Sequence, residues 1–275
     1  MALYACGRGV SQRRACELLS TPRSGLHYRS RLERRDRGLV RALKVLSRAH
    51  AAWGYRMMSG VLRLRGWKVN TKRVYRLWRA LGLVSPPYKP SRKIRTGVRL
   101  DQPAHKRNDV WAVDFVHDSY GDGHKFRCLT VKDEATGYCL AVEVATSLRN
   151  DDVQRLLHGL MARYGRPKAL RSDNGPEFIA HELQDAITNL EISCATIDPG
   201  KPWQNGSNES LNGTLRRESL DAELFNSVME ARVVIAQWRS TYNRQRPHSS
   251  HGYQTPETMS FGPRPTTENL SELAA

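Results

Sequence analysis

Trp111-Ala112-Val113-Asp114-Phe115-Val116 decides the fold, because a run that is apolar apart from one acid predicts a buried strand. Two more segments rich in Val, Leu, Phe and Tyr follow, at 124–132 and 138–145. Turn material separates them: Tyr120-Gly121-Asp122-Gly123 and Ala135-Thr136-Gly137. The three therefore read as an antiparallel meander. Next comes a helix with Val153, Leu156, Leu157, Leu160 and Tyr164 in register, and with Asp151 and Asp152 at its positive end. A short strand is expected at 168–172, a helix at 177–188, a strand at 192–197, and helices at 207–220 and 227–242. Three antiparallel strands followed by alternating helices and strands specify an α/β architecture, a mixed sheet with helices packed on it.

Upstream of that sheet the composition changes. Of the 275 residues, the first hundred carry 25 Lys and Arg against 3 Asp and Glu, a net +22, whereas the remainder carries 19 against 24, a net −5. A strongly basic arm joined to a mildly acidic body implies a polyanion as partner, since Lys and Arg displace condensed counterions from phosphate without needing sequence readout. No long basic amphipathic helix with a broad apolar face points to a membrane surface, no apolar stretch is long enough to span a bilayer, and the first residues lack signal-peptide order. The expected place is the cytoplasm. The five cysteines (Cys6, Cys16, Cys128, Cys139, Cys194) form no Cys-x-x-Cys pair and read as buried thiols rather than a disulfide or zinc framework.

Within the arm, residues 10–30 read as two short helices, the first capped by Ser11, a weak helix-turn-helix pattern. A clearer one spans 51–83. Its first helix carries Met58, Val61 and Leu62 on one stripe and breaks at Gly66; its second starts at an Asn70 cap and stops at Gly82. On that second helix Val74, Leu77, Trp78 and Leu81 face a core, while Lys72, Arg76 and Arg79, with neighbouring Arg73, make a basic side suited to DNA. A solvated charged face is the alternative. Residues 85–107, with Pro86, Pro87 and Pro90 among basic side chains, read as an extended linker.

Three acids stand out in the body. Asp114 lies inside the apolar strand, where a lone carboxylate is costly unless something positive pairs with it. Asp173 ends the strand 169–172 before the turn Asn174-Gly175-Pro176, and sheets of this kind open their sites at strand carboxyl ends. Glu209 begins a helix whose packing side is Leu211 and Leu215, while Glu209, Asn212 and Arg216 share another side. The acids are 59 and 36 positions apart. Three converging carboxylates suit hard divalent ions such as Mg²⁺, two of which can activate an attacking oxygen and stabilise a leaving one during displacement at phosphorus.

The words around these acids resemble a known family. Trp111-Ala-Val-Asp114, Ser172-Asp173-Asn-Gly-Pro-Glu-Phe178, Pro199-Gly-Lys-Pro-Trp-Gln-Asn205 and Glu209-Ser-Leu-Asn-Gly-Thr-Leu-Arg216 are similar to the retroviral-integrase-type core of bacterial insertion-sequence transposases, in particular the second-frame product of the IS-three family. Trp53-Gly-Tyr-Arg56, Gly66-Trp-Lys-Val-Asn70, Tyr242-Asn243, Arg246-Pro-His-Ser249 and Thr255-Pro-Glu257 extend the resemblance over nearly the whole chain. It implies a ribonuclease-H-like fold, Asp114, Asp173 and Glu209 as ligands of two Mg²⁺ or Mn²⁺ ions, and DNA contact by Arg216. Cleavage at an element's end and transfer of the exposed 3′-hydroxyl to another phosphodiester are the implied reaction. Asn205 and Asn212 are further candidate DNA contacts. Asn174-Gly175 reads equally as a turn, 199–205 as a DNA-positioning loop or a lead into the next helix, and Arg246-Pro247-His248 as a DNA contact or a turn.

The expected organisation is a basic helical segment at 1–48, a helix-turn-helix domain at 49–84, a linker at 85–107, an integrase core at 108–225, a helical extension at 226–260 and a disordered tail at 261–275. Expected partners are double-stranded DNA, as element ends and target, further copies of the chain on that DNA, and an upstream-frame protein fused to it or assisting it. A stand-alone metal-dependent nuclease and a DNA-binding regulator with an inactive core are the rival readings.

Overall fold

A computed structural model describes residues 1–26, 32–84, 104–121, 123–172, 192–196 and 206–263. The chain divides into two compact units, Met1–Ala51 and Ala52–Ala275. The expected helix at 177–188, most of the linker and the end of the tail lie outside the described residues.

The first unit holds α1 (Ala2–Gly7), α2 (Gln12–Leu18) and α3 (Leu32–Ala49). Ser11 caps α2 by accepting the Arg14 N–H. Helix α3 has no counterpart as a separate element in the sequence reading, because its many charged residues, eight of eighteen, obscure the stripe Leu39, Leu43 and Leu46, all of which are buried.

The second unit begins with α4 (Tyr55–Leu64) and α5 (Thr71–Ala80). Gly66 takes φ +80° where the pair turns, and Asn70 accepts the Lys72 N–H at 2.8 Å to start α5. Val74, Leu77 and Trp78 are buried. The Ser59 hydroxyl, itself buried, meets that of Thr71 at 3.1 Å and joins the two helices.

The body is a five-stranded sheet in the order β3-β2-β1-β4-β5, from β1 (Val110–Tyr120), β2 (His124–Asp133), β3 (Cys139–Ala145), β4 (Ala169–Ser172) and β5 (Ser193–Thr196). The first three are antiparallel, and β4 and β5 run parallel to β1, which is the ribonuclease-H arrangement. Strand β1 runs to Tyr120, past the end of its apolar run, because the hairpin pairs Tyr120 with His124 across Gly121 and Gly123, both at positive φ.

Strand alternation divides the core. Trp111, Val113, Leu129 and Val131 pack with Val153, Leu157, Leu160 and Tyr164 of α6 (Asn150–Tyr164). Val116, Phe126, Cys128 and Val144 pack on the opposite face with Leu211 and Leu215 of α7 (Gly206–Leu215) and with Ala231, Ile235 and Trp238 of α8 (Val228–Arg244). Helix α8 is thus a full layer of the core. Burial pushes the Cys128 and Cys139 thiols up to about 12, so both remain apolar packing groups.

After α8 the chain turns through Arg246, Pro247 and His248 towards α9 (Pro256–Phe261). Gly60 of α4 lies against this turn: a Cβ there would come 3.0 Å from Pro247 and 3.1 Å from Tyr253. Burial, then the charges of Arg246 and Lys132 and the nearby His251, push the His248 imidazole down from 6.5 to about 3. Between those values the unfolded chain binds the proton that the folded one refuses, so stability rises with pH across that window. The share contributed by neutral His248 is complete above pH 6.5 and is lost as pH falls towards about 3. His248→Phe should therefore lose less melting temperature than wild type on acidification through this range. Parallel thermal melts checking this would contradict it if the gap between the proteins stayed constant.

Candidate active site

Asp114 belongs to the strand face that carries Ala112 and Val116, the face covered by α7. Its Oδ2 accepts the Asn212 side-chain N–H at 2.8 Å, and its Oδ1 accepts the backbone N–H of Phe115 at 2.8 Å. The Thr130 hydroxyl, opposite Asp114 on β2, lies 3.1 Å from the Asp114 carbonyl and 3.0 Å from Asn212 Oδ1, to either of which it can donate. Strand β1, strand β2 and helix α7 are thereby locked at one point. Thr130 is fully buried. Hydrogen bonds to the charged form explain how a half-buried strand carboxylate is tolerated.

Helix α7 has three sides. Leu211 and Leu215, fully buried, press on the sheet. Glu209 stands one turn before Asn212 in the first turn of the helix and is exposed. Since residues three apart are neighbours on a helix, the Asn212 bond brings the Glu209 side of α7 to Asp114. Ser210 and Thr214, continued by Arg217 in the turn just past the helix, form the third side. Asn208 is fully buried with neither amide atom hydrogen-bonded, polar capacity held beside Glu209.

Arg216 opens a wide helical turn, Arg216–Leu220, and donates to the His117 carbonyl of β1 at 2.9 Å, with Asp221 at 3.6 Å. Its side chain is nonetheless 44% exposed, so it borders the same face. Lys72, Arg76 and Arg79 lie exposed along α5, opposite its buried stripe, and Arg73 is half-buried. Asp173 and Asn205 lie outside the described residues, as do Asn174, Gly175 and 199–204. Among the described residues no group of three or more His, Cys, Asp and Glu is placed to hold a metal ion.

Sequence reasoning did not find the Thr130 link, since a threonine inside an apolar strand gives no separate signal. Nor did it find the role of Asn243, whose side chain accepts the Cys139 N–H at 2.9 Å and donates to the Cys139 carbonyl at 2.8 Å. That amide completes the start of β3 in the way a neighbouring strand would. Arg246 is held by Glu218 at 2.9 Å, with side-chain exposures of 15% and 10%, so the Arg246-Pro247-His248 word forms a packed turn.

Integrase core domain models match residues 104–202 and 190–256, and an HTH-like domain model matches 33–91. The 31.7 kDa protein of insertion element IS407 from Burkholderia multivorans is 35% identical over 94% of this chain and 94% of its own length. The chain belongs to the integrase-core transposases of bacterial insertion elements. The family's 39.2 kDa IS476 protein from Xanthomonas euvesicatoria is 34% identical over 88% of this chain and 70% of its own length. Transposase InsD of insertion element IS2 from Escherichia coli is 27% identical over 93% and 92%. Among solved structures, the HTLV-2 integrase catalytic core domain in complex with magnesium aligns at TM-score 0.45 and 21% identity, over 57% of this chain and 99% of that one. As in the rest of the family, the enzymatic class is polynucleotidyl transfer, and the helix-turn-helix and integrase domains together mark a protein that acts on DNA.

The Asn212 bond yields a direct expectation. Asn212→Leu keeps the size of the side chain but frees Asp114 from α7, and if Asp114 has the metal-ligand role expected from the sequence, loss of the group that orients it costs about 10–100-fold in activity. Steady-state cleavage of duplex DNA should fall by that much, with a lower melting temperature and a much smaller loss of duplex affinity. Unaltered cleavage would show that α7 does not orient Asp114.

Proposed function

We propose that this chain cuts at the ends of an insertion element and joins the exposed 3′-hydroxyl to another phosphodiester, using Asp114, Asp173 and Glu209 with two Mg²⁺ or Mn²⁺ ions. The observation that carries the reading is the 2.8 Å bond from Asn212 to Asp114, which sets the Glu209 side of α7 against the strand carboxylate. All three candidates offer hard oxygen donors, and a carboxylate oxygen that accepts one N–H retains a second lone pair for a cation. Bound there, divalent ions would supply charge stabilisation for an in-line displacement at phosphorus. The chain's own contribution is placement. Asn212 and Thr130 fix Asp114, the Leu211 and Leu215 contacts fix the helix bearing Glu209, and Arg216 stands at the end of the same helix to meet a phosphate.

DNA is held, in this reading, by the exposed basic side of α5 together with Arg216, Asn205 and Asn212. Further copies of the chain assemble on the two ends, and an upstream-frame protein assists or is fused to it. Such a protein works in the bacterial cytoplasm at the nucleoid. No helix among the described residues is long and apolar enough to cross a membrane.

The deciding assay uses labelled duplexes carrying candidate ends with Mg²⁺ or Mn²⁺. Glu209→Gln should abolish both cleaved and joined products while leaving salt-sensitive binding in place, because phosphate contacts reside elsewhere. Undiminished cleavage by this variant would refute the two-metal assignment, and cleaved product without any joined product would identify a hydrolytic nuclease instead.

Binding itself is tested on α5. Replacing Lys72, Arg76 or Arg79 singly by Ala should weaken binding across sequences and reduce the slope of log affinity against log salt by about 1 for each phosphate contact removed. Slopes identical to wild type in all three variants would place the DNA on another surface.

A further inference from the structure

The third side of α7 faces a cavity of about 640 Å³ within the second unit, bounded by the sheet, α4 and the turn after α8. Ser210 and Thr214 line it from α7, Arg217 from the wide turn that follows, Arg56 from α4, Tyr242 from α8, and Tyr253 from the stretch between α8 and α9. It opens on the same sheet face as Asp114 but further along β2 and just past its end, at Lys132 and Glu134, and Asp114 does not line it. Two features define what it can hold. Arg56 and Arg217 are exposed cations with no acidic partner among the described residues; Arg56 donates to the Tyr55 hydroxyl and Arg217 to that of Thr214. Glu134 Oε1 and His248 Nε2, on the same lining, are buried without any hydrogen-bond partner among the described residues. The other Glu134 oxygen is held by the buried Arg171 guanidinium at 2.7 Å, which fixes the carboxylate in place.

A bare phosphate would satisfy the arginines and leave the buried acceptor unpaired. A base alone would satisfy the acceptor and leave the arginines unused. A nucleotide does both, since every base edge carries an N–H donor and every nucleotide an anionic phosphate. The part-exposed Tyr253 ring gives a base something to lie against, and the volume falls within the range of small-molecule sites. Buried polar atoms left unpaired cost about 1–3 kcal/mol each, so a ligand that pairs them gains affinity.

We propose that this cavity receives a single nucleotide extruded from bound DNA, its phosphate on Arg56 and Arg217 and its base edge on Glu134 and His248. The proposal rests on the chain acting on DNA, and it adds a nucleotide subsite beside the strand-transfer centre. An unpaired or distorted nucleotide enters at least cost, because unstacking is then already done.

The test titrates the full chain with dGMP, 2-deoxyribose 5-phosphate and inorganic phosphate, followed by ligand-observed NMR. Base hydrogen bonds should make dGMP bind about fivefold more tightly than deoxyribose phosphate. His248→Phe should lower that ratio without abolishing it, since Glu134 remains, whereas Arg56→Ala and Arg217→Ala, both at exposed positions, should weaken the two sugar phosphates alike. Equal binding of dGMP and deoxyribose phosphate by wild type overturns the proposal, and so does dGMP binding indifferent to both arginines. Should His248→Phe fail to fold, those two outcomes still decide. No cleavage is needed for the titration. A chain that cuts and joins DNA without preferring dGMP sinks this inference alone; one that prefers dGMP yet never cuts sinks the strand-transfer reading alone.

Discussion

The hydrogen bond from Asn212 to Asp114 is the contact on which the site depends. A carboxylate in the middle of an apolar strand is destabilising unless its charge is met, and besides the Phe115 backbone N–H the fold supplies the amide of a helix on that face. The same amide accepts from Thr130, so one side chain reads the position of two strands at once. Helix α7 could slide along the sheet on Leu211 and Leu215 alone, since apolar packing is not directional. The polar bond fixes the slide, and with it the place of Glu209.

Other polar contacts repeat this division between apolar packing and polar registration. Trp238 donates to Glu218 at 3.3 Å while Arg246 holds its other oxygen, which ties α8 and the following turn to the wide turn after α7. Asn243 seats α8 on β3 through both of its amide atoms. Asp133 accepts from Asn108 and from Thr136 and so closes the β2–β3 turn. Each bond contributes about 1 kcal/mol or a little more, far less than the burial around it, yet each selects one arrangement among several that burial would accept.

What could be seen in the sequence follows from this. Strands β1 to β3 were legible because apolar Val, Leu, Phe and Trp recur in short segments separated by glycine-containing turns, and α4–α5 because caps and glycines mark its ends chemically. Asp114 and Glu209 stood out as acids in the wrong company. Asn212 was legible as a member of the Glu209 side but pointed equally to DNA, since an amide's partner is set by tertiary contact and not by spacing. Helix α3 was hidden by charge, and the Arg246-Pro247-His248 word was ambiguous because a packed turn and a DNA-contacting loop use the same residues. The Glu134–Arg171 pair joins residues 37 positions apart, a separation that no local pattern encodes.

The excess of basic residues therefore has two meanings in one chain. In the body, Arg171 and Arg246 are held by buried or half-buried acids, and Arg232 and Arg239 donate to the carbonyls of Val144 and Leu140. These arginines are structural, and a count of charge overstates the surface they offer to phosphate. On α5 the balance is opposite: Lys72, Arg76 and Arg79 are exposed on a helix whose other side is apolar. Polyelectrolyte attraction works only through charge that water and counterions can reach. In the proposed reading most of the grip on DNA thus belongs to the arm, while the body, carrying a net negative charge, adds Arg216 and positions a few atoms.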